Sequence, residues 1–197
     1  MKTIVVYAHP GTDGFSSAML ERVKADLEER GIEHEIWDLY EMGYDPVLKK
    51  EEVYTAGNRK VSDENLKFQE KIGEASKLIF IYPVWWGGMP AILKGFIDRV
   101  FVPGFAFKYR KDKLLKFIPD GLLKDKTVIC LVSSGGPWIL YTLILNPVMI
   151  INKFVIFGFC GARTKTFQIY GATKLTSQKK RKIERVSKRA VNWMLRR

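Results

Sequence analysis

Five short apolar runs, separated by segments of helical periodicity, constrain the fold of this 197-residue chain more than any other feature. The runs are rich in Ile, Val, Leu and aromatic residues, which is typical of strands buried on both faces of a parallel sheet. The predicted strands are residues 2–8, 33–39, 77–83, 126–133 and 164–170. Strands that alternate with helices form an open parallel sheet with helices on both faces, because each parallel connection needs a crossover. We therefore predict a doubly wound α/β sheet in three layers, with its five strands in the order 2-1-3-4-5.

The segments between these strands are predicted from capping signals and polar composition. The first helix is expected to start at Ser16 or Ser17, whose hydroxyl can act as an N-cap, and to end at Gly31. Residues 40–61 are predicted to be irregular, and residues 102–125 to be a long surface loop that covers a site or serves an interface. The other helices are predicted at residues 62–75, at residues 90–101, after Gly135-Gly136, and at the C-terminus with an apolar stripe of Ile183, Val186, Ala190 and Trp193.

Size and cysteine content predict one domain over residues 1–197 in a reducing, cytoplasmic compartment. Cys130 and Cys160, the two cysteines, both lie in apolar runs, so no disulfide framework is expected. The two cysteines and two histidines are scattered along the chain and predict no metal site. The N-terminal sequence MKTIVVYAHP is too short and ends too abruptly for a signal peptide.

The most hydrophobic stretch, residues 139–159, raises the question of a membrane span. It is interrupted by Asn146-Pro147 and by Asn152-Lys153, so no uninterrupted apolar segment of about 18 residues remains. A buried helix or a dimer surface is therefore expected here.

Positive charge is concentrated at the C-terminus. Residues 174–197 contain ten Lys or Arg and one Glu, which is +9 of the net charge of +12. This segment is interpreted either as the solvated face of an amphipathic helix or as a peripheral contact with an anionic membrane surface. No nucleic-acid-binding motif accompanies the charge, so nucleic acid is not expected as a partner.

Three loops should meet at the carboxyl ends of the central strands, where sheets of this order bind their ligands. The first, AHPGTDGFSSA, leads into a helix whose N-terminal N–H groups favour phosphate. It contains neither a dinucleotide fingerprint nor a P-loop, and a helix-capping turn is the alternative interpretation.

The second and third loops combine aromatic surface with bare backbone. In PVWWGGMP, Trp85 and Trp86 can flank a flat ring system, and the following glycines allow close approach of the main chain. The alternative is that these tryptophans are surface anchors or core filler. In SSGGPW, Gly135 and Gly136 again expose backbone N–H groups. A phosphate loop, an aromatic wall and a glycine-rich loop together predict a flavin nucleotide site.

The segments AHP…FSSAM, YPVWWGGMPAILKGFIDRVF and SSGGPWILY resemble the flavodoxin-like NAD(P)H:quinone oxidoreductases, the family of DT-diaphorase and bacterial modulator-of-drug-activity proteins. The resemblance spans most of residues 1–141 and implies a flavodoxin-like homodimer, with residues 138–159 and the helix after Pro90 as its candidate surfaces. It also implies ping-pong hydride transfer from NAD(P)H, through the flavin, to a quinone or similar acceptor. His9 and the Trp-Trp segment favour FAD over FMN.

The same resemblance assigns site residues. Those expected around the flavin phosphates are His9, Phe15, Ser16 and Ala18. Those expected to line the isoalloxazine ring are Pro83, Val84, Trp85 and Trp86. Those expected at its pyrimidine edge are Ser133, Ser134, Gly135 and Gly136. Tyr141 is the implied catalytic residue, although Pro147 stands where the best-known members have His, so Tyr141 or solvent would act without that partner. Gly14 stands where some members have Ser.

Three other functions are compatible with an α/β sheet of this order. A one-electron flavodoxin carrier is usually acidic and has a T-x-T-G-N-T loop, which is missing here. A receiver domain needs clustered aspartates at strand ends, and only Asp13 lies near the first strand. A flavin-binding regulatory subunit of a cation-efflux transporter, docked through its basic surface, stays open.

Overall fold

The computed structural model describes residues 2–53, 60–109, 119–143 and 146–196. Its strands are β1 Thr3–Tyr7, β2 His34–Asp38, β3 Lys77–Pro83, β4 Phe107–Tyr109, β5 Pro119–Gly121, β6 Thr127–Ser134 and β7 Arg163–Tyr170. The main sheet has the order β2-β1-β3-β6-β7, and every neighbouring pair in it is parallel. The predicted five-stranded order 2-1-3-4-5 is therefore confirmed.

Helices alternate with these strands as predicted. They are α1 Phe15–Glu28, α2 Asp63–Glu74, α3 Ala91–Val100, α4 Trp138–Leu143, α5 Pro147–Ile150 and α6 Ser177–Leu195, with a 3₁₀ turn at Lys50–Glu52 and a π-helical segment at Ile151–Ile156. The prediction that Ser16 or Ser17 caps the first helix is wrong. The N-cap is Gly14, whose φ of 127° places its backbone where L-residues are strained, and α1 starts at Phe15.

The three predicted layers follow from the alternation of side chains along the strands. Ile4 and Val6 of β1 pack into one core with α2 and α3, whereas Val5 points to the opposite core with α1 and α6. Strands β1 and β6 are buried along their whole length. Each fully buried aliphatic or Phe side chain stabilises the fold by about 1.5–3 kcal/mol.

The C-terminal helix α6 packs through a stripe that is rotated slightly from the predicted one. Ile183 and Ala190 are buried as predicted, but Val186 and Trp193 lie at the margin of the contact and are only partly buried. The centre of the buried stripe is completed by Ser187, Val191 and Met194. The opposite face of the helix is left to its basic residues.

The predicted irregular segment 40–61 is held against α3 by a buried ion pair. Arg99 donates from Nε and Nη2 to the two carboxylate oxygens of Glu52, at 2.8 and 2.9 Å. Burial opposes ionisation of Glu52, but the hydrogen bonds from Arg99 outweigh it and hold the carboxyl pKa below its ordinary value. Residues 54–59 of this segment lie outside the described part of the chain.

The prediction of one continuous loop over residues 102–125 is wrong in its described parts. Strands β4 and β5 form an antiparallel ladder, in which Phe107 faces Gly121. Gly121 also lies close to the chain at Cys160, since a Cβ placed on it would be 2.3 Å from the carbonyl carbon of Cys160. The ladder is thereby anchored to the body of the protein, and residues 110–118 lie outside the described ranges.

The hydrophobic stretch 139–159 is divided among α4, α5 and the π-helical segment. Across the described ranges, no helix combines the length and apolar character needed to cross a bilayer.

Candidate functional site

The site lies at the carboxyl edge of the sheet, where the loops after β1, β3 and β6 emerge side by side. These strands are neighbours, and main-chain hydrogen bonds continue beyond the strand ends. Ala8 N–H donates to the carbonyl oxygen of Ile81 at 3.0 Å, and Val84 N–H donates to that of Ser133 at 2.7 Å. The three predicted loops are therefore brought together as expected.

The first loop presents a row of main-chain donors. From Thr12 to Ser17, no backbone N–H group has an acceptor within the described part of the chain. The first intrahelical bond of α1 runs from Ala18 N–H to Gly14 O at 3.1 Å, and Ser17 Oγ donates to the same carbonyl at 3.1 Å. Phe15 and Ser16 are buried beneath this row. Free N–H groups at the positive end of a 14-residue helix are well suited to an anion such as phosphate.

His9 links the first loop to the second. Its Nδ1 lies 3.0 Å from Gly11 N and 2.9 Å from Gly11 O, so it accepts or donates according to its tautomer. The imidazole centroid is 6.2 Å from that of Trp85. Tyr7 lies below, and burial, reinforced by the charges of Asp38 and Glu21, raises its pKa to about 12. Tyr7 therefore stays neutral at physiological pH.

The second loop is a tight turn that displays two indoles. Trp85 and Gly88 exchange two main-chain hydrogen bonds of 3.0 Å, and the residues between them have φ of 50° at Trp86 and 76° at Gly87. Positive φ at both central positions is the type I′ pattern, which favours Asn-Gly and strains a bulky aromatic. Trp86 is fully exposed, and Trp85 is 42% exposed. An exposed aromatic in a strained backbone contributes little to the fold, which points to a ligand-binding role.

The third loop is held by its carbonyl groups, which leaves its donors free. Ala172 N–H donates to Ser134 O at 2.8 Å, and Gly171 N–H donates to Gly136 O at 3.1 Å. The N–H groups of Gly135 and Gly136 have no acceptor among the described residues. The end of β7 therefore sets the shape of this loop.

Tyr141 lies directly under the third loop and is buried. A Cβ placed on Gly136 would be 3.3 Å from Tyr141 Cε2 and 3.4 Å from Leu140 Cδ2. The Tyr141 and Tyr170 ring centroids are 5.5 Å apart. The structure thus brings the predicted Tyr141 against the predicted loop.

Three polar residues behind this loop were missed by the sequence prediction, namely Asn146, Gln168 and Tyr170. Asn146 lies in the left-handed region with φ of 43° and caps α5 ahead of Pro147. Gln168 and Tyr170 belong to β7. The sequence does contain a signal for two of them, because Gln168 and Tyr170 are hydrogen-bonding residues at the carboxyl end of the last strand. That end lies at the same edge of the sheet as the loops after β1, β3 and β6.

Within residues 2–53, 60–109, 119–143 and 146–196, no group of three or more His, Cys, Asp or Glu side chains is arranged to hold a metal ion. Burial raises the pKa of the Cys130 thiol, which is fully buried in β6 and unreactive for that reason.

A flavodoxin-like sheet with a donor-lined aromatic site at its switch point defines a class of nucleotide-binding flavoproteins. The chain belongs to the family described as having a flavodoxin-like fold, which matches residues 1–194. An uncharacterized NAD(P)H oxidoreductase of Haemophilus influenzae is 31% identical over 188 residues, covering 92% of this chain and 89% of the relative. A ribosyldihydronicotinamide dehydrogenase (quinone) of Rattus norvegicus is 29% identical over 208 residues, covering 92% of this chain and 86% of the relative. The predicted resemblance to the NAD(P)H:quinone oxidoreductases is confirmed by these relatives.

Solved structures agree with the fold. The crystal structure of Smu.1420 from Streptococcus mutans has a TM-score of 0.84 and 31% identity, covering 98% of this chain and all of that one (100%). An FMN-dependent NADH-azoreductase from Bacillus anthracis, solved in complex with FMN, has a TM-score of 0.71 and 20% identity, covering 98% of this chain and 99% of that one. The second likeness is one of fold alone.

Proposed function

We propose that this chain is a flavin-dependent NAD(P)H:quinone oxidoreductase built on a single flavodoxin-like domain and working in the cytoplasm. One observation carries the proposal. Two of three adjacent loops direct backbone donors, at residues 12–17 and at Gly135 and Gly136, to one sheet edge, and the loop between them carries the exposed Trp85 and Trp86; these donors have no acceptor among the described residues. By name, the Haemophilus influenzae relative is an NAD(P)H oxidoreductase and the Rattus norvegicus relative is a ribosyldihydronicotinamide dehydrogenase (quinone), which supports the same reaction class here.

The residues of this edge fit a flavin nucleotide part by part. The N–H groups of residues 12–17 would hold a phosphate, with His9 and Ala18 beside them. The ring system would be lined by Pro83, Val84, Trp85 and Trp86, since they lie at the carboxyl end of β3 and just beyond it, at the centre of the sheet. When bound, the flavin would supply hydride acceptance from NAD(P)H and two-electron donation to the quinone in turn.

The protein itself would orient the flavin and stabilise the negative charge that forms on it. Gly135 and Gly136 would donate N–H groups to the pyrimidine edge, where negative charge accumulates on reduction. Ser133 and Ser134 lie at the end of β6 and carry this donor segment. Tyr141 is proposed to handle the charge change from beneath Gly136, without the histidine that Pro147 replaces.

We propose FAD as the flavin, with FMN as the alternative. His9 follows β1 at the start of the first loop, and its ring centroid is 6.2 Å from that of Trp85, so aromatic contacts are available beside the donor row for a ligand longer than a mononucleotide. Heat release of the bound flavin from purified protein, followed by chromatography against both standards, distinguishes the two.

Homodimerisation is proposed through the apolar side chains that α4, α5 and the π-helical segment leave exposed. They are Trp138, Ile139, Leu140, Leu143, Met149, Ile150, Phe154 and Val155. Many exposed apolar side chains within one stretch of the chain are typical of an interaction site. A Phe154→Asp variant should sediment as a monomer, whereas Met42→Asp, at an exposed apolar residue outside this surface, should not change the oligomeric state.

Peripheral contact with an anionic membrane is proposed for the outer face of α6. Arg181, Arg185 and Arg189 recur every four residues and are exposed. No salt bridge between these arginines and a carboxylate occurs within the described ranges. Clustered cations on one helix face are attracted to anionic lipid, where membrane quinones also reside.

Steady-state NADPH oxidation tests the proposed function. Purified protein loaded with flavin should oxidise NADPH or NADH rapidly when menadione is supplied, and slowly without it. A protein that stays colourless after incubation with FAD and with FMN would refute the proposal. Protein that binds flavin but turns over no quinone would favour the regulatory-subunit alternative.

A further inference from the structure

A chain of hydrogen-bonded side chains runs behind the third loop. Asn146 donates from Nδ2 to Gln168 Oε1 at 2.9 Å and to Tyr170 Oη at 3.1 Å. Gln168 in turn donates from Nε2 to Ser134 Oγ at 3.0 Å. The residues belong to three separate parts of the chain, which are the N-cap of α5, strand β7 and the end of β6.

Asn146 is suited to the centre of this chain by its backbone and by its amide. Its φ of 43° and ψ of 74° are left-handed, a region in which Asn is enriched among non-glycine residues. Both amide hydrogens are donated, and its Oδ1 accepts from Met149 N–H at 3.4 Å. Its own main-chain N–H donates to Tyr141 O at 2.6 Å. One residue therefore ties the end of α4 to β7 and to the start of α5.

The direction of the hydrogen bonds determines what the loop offers to a ligand. Because Ser134 Oγ accepts from Gln168, its hydroxyl hydrogen remains a donor, and no acceptor for it lies in the described part of the chain. Ser134 is almost completely buried next to the free N–H groups of Gly135 and Gly136. The third loop thus offers the N–H groups of Gly135 and Gly136 as donors, with the Ser134 hydroxyl behind them, which suits the acceptor-rich pyrimidine edge of a flavin.

Tyr170 connects this hydrogen-bonded chain to Tyr141. Its hydroxyl oxygen accepts from Asn146, and its ring packs against that of Tyr141. Burial raises the pKa of Tyr170, opposed by the hydrogen bond from Asn146, so the phenol stays neutral and keeps a proton to donate. Pro147, in contrast, has no N–H group to offer at this place.

We propose that Asn146 is a positioning residue for the flavin: through Gln168 it orients Ser134 as a donor, and through Tyr170 it holds Tyr141 beneath Gly136. This inference rests on the flavin-binding function proposed above. It assigns no proton or electron transfer to Asn146 itself.

The test separates the side chain of Asn146 from its strained backbone. Asn146→Gly keeps the left-handed conformation without penalty while it removes every side-chain hydrogen bond. We expect apoprotein that melts within a few degrees of wild type but binds FAD about tenfold more weakly, the effect of a lost hydrogen bond to a buried group. Its flavin midpoint potential should also fall, because charge gained on reduction is less stabilised.

A double-mutant cycle decides whether Asn146 acts through Ser134. Ser134→Ala alone should weaken FAD binding and lower the potential, and Asn146→Gly should have a smaller effect in the Ser134→Ala background than in wild type, because only its contact with Tyr170 is still lost. Fully additive effects, or wild-type affinity and potential in Asn146→Gly, would overturn the proposal. If Asn146→Gly does not fold, Tyr170→Phe replaces it, because this variant keeps the ring but loses the hydroxyl that accepts from Asn146. Its FAD affinity and midpoint potential should both fall, and wild-type values for both would also contradict the proposal. Failure of wild-type protein to bind FAD or FMN would instead refute the proposed function.

Discussion

Val84 N–H donates a 2.7 Å hydrogen bond to the carbonyl oxygen of Ser133, one step beyond the paired end of β3 and β6. The bond fixes the point at which the aromatic second loop and the donor-rich third loop separate. Both loops therefore leave the sheet from one rigid position, and the space between them is set by main chain and not by side-chain packing. Rigid placement of donors is what electrostatic stabilisation in an active site requires.

Substitution of Gly136 by Val should abolish flavin retention. The Cβ alone would approach Tyr141 Cε2 to 3.3 Å, and the branched side chain would have to displace Tyr141 or project into the ligand space. The ratio of visible flavin absorbance to protein absorbance after purification measures retention. Gly73→Ala is the matched control, since a Cβ there meets nothing within 4 Å, and it should retain flavin fully. A yellow, fully active Gly136→Val protein would contradict the assigned role of this loop.

Replacement of Trp86 by Asn should have opposite effects on stability and on binding. Asn-Gly is the preferred pair for a type I′ turn, so relief of the strained φ of 50° should stabilise the apoprotein by about 1 kcal/mol. Loss of the exposed indole should weaken flavin or acceptor binding. Urea unfolding of apoprotein and fluorescence titration with FAD measure the two effects. Trp86→Phe keeps both the aromatic and the strain, so its unfolding midpoint should match wild type; a stabilised Trp86→Phe would show that strain is not the cause.

The Glu52–Arg99 pair should make stability depend on acid pH. Its carboxyl pKa is lowered from 4.5 in the folded state, so the stabilisation is complete above the unfolded value and is lost as pH falls through the lower folded value. Glu52→Gln leaves the buried Arg99 charge without its partner and should cost about 3–5 kcal/mol at pH 7. The difference from wild type should shrink as the pH falls below about 4. Urea unfolding across this range checks the sign, and a constant difference would exclude the assigned linkage.

Reversal of charge on α6 should abolish binding to anionic vesicles without loss of activity. The triple variant Arg181→Glu, Arg185→Glu, Arg189→Glu changes only exposed side chains on the outer face of the helix. Wild-type protein should co-sediment with phosphatidylserine-containing vesicles at low salt and be released at about 0.5 M salt, since such attraction is screened. Neutral phosphatidylcholine vesicles are the control. Equal binding of wild type and variant, or none by wild type, would refute the membrane contact.

Much of the fold could be predicted because periodicity and composition determine it locally. The buried runs of β1 and β6 and the order of the sheet follow from apolar patterning and from crossover rules. The start of α1 could not, because Ser16 is turned into the core and the capping position falls to Gly14, whose conformation no local pattern indicates. The β4–β5 ladder was missed because its strands have three residues each, too few for a periodic signal.

Site residues could be predicted from the sequence only where a single loop contains unusual residue types directly after a strand. Trp85, Trp86 and Gly136 stand out in the sequence by residue type and by position after a strand. Asn146 and Gln168 do not, since their pairing joins residues that are 22 apart and becomes visible only when β7 is placed beside β6. Long-range polar contacts of this kind depend on the completed fold.

The two hydrogen bonds from Gly171 and Ala172 to the third loop involve only main-chain atoms. Mutations that alter the exposed side chains of residues 137–140 can therefore accumulate without deforming the main chain of this loop. Related proteins could therefore differ in the acceptors that they reduce while the main chain that holds the coenzyme keeps the same conformation.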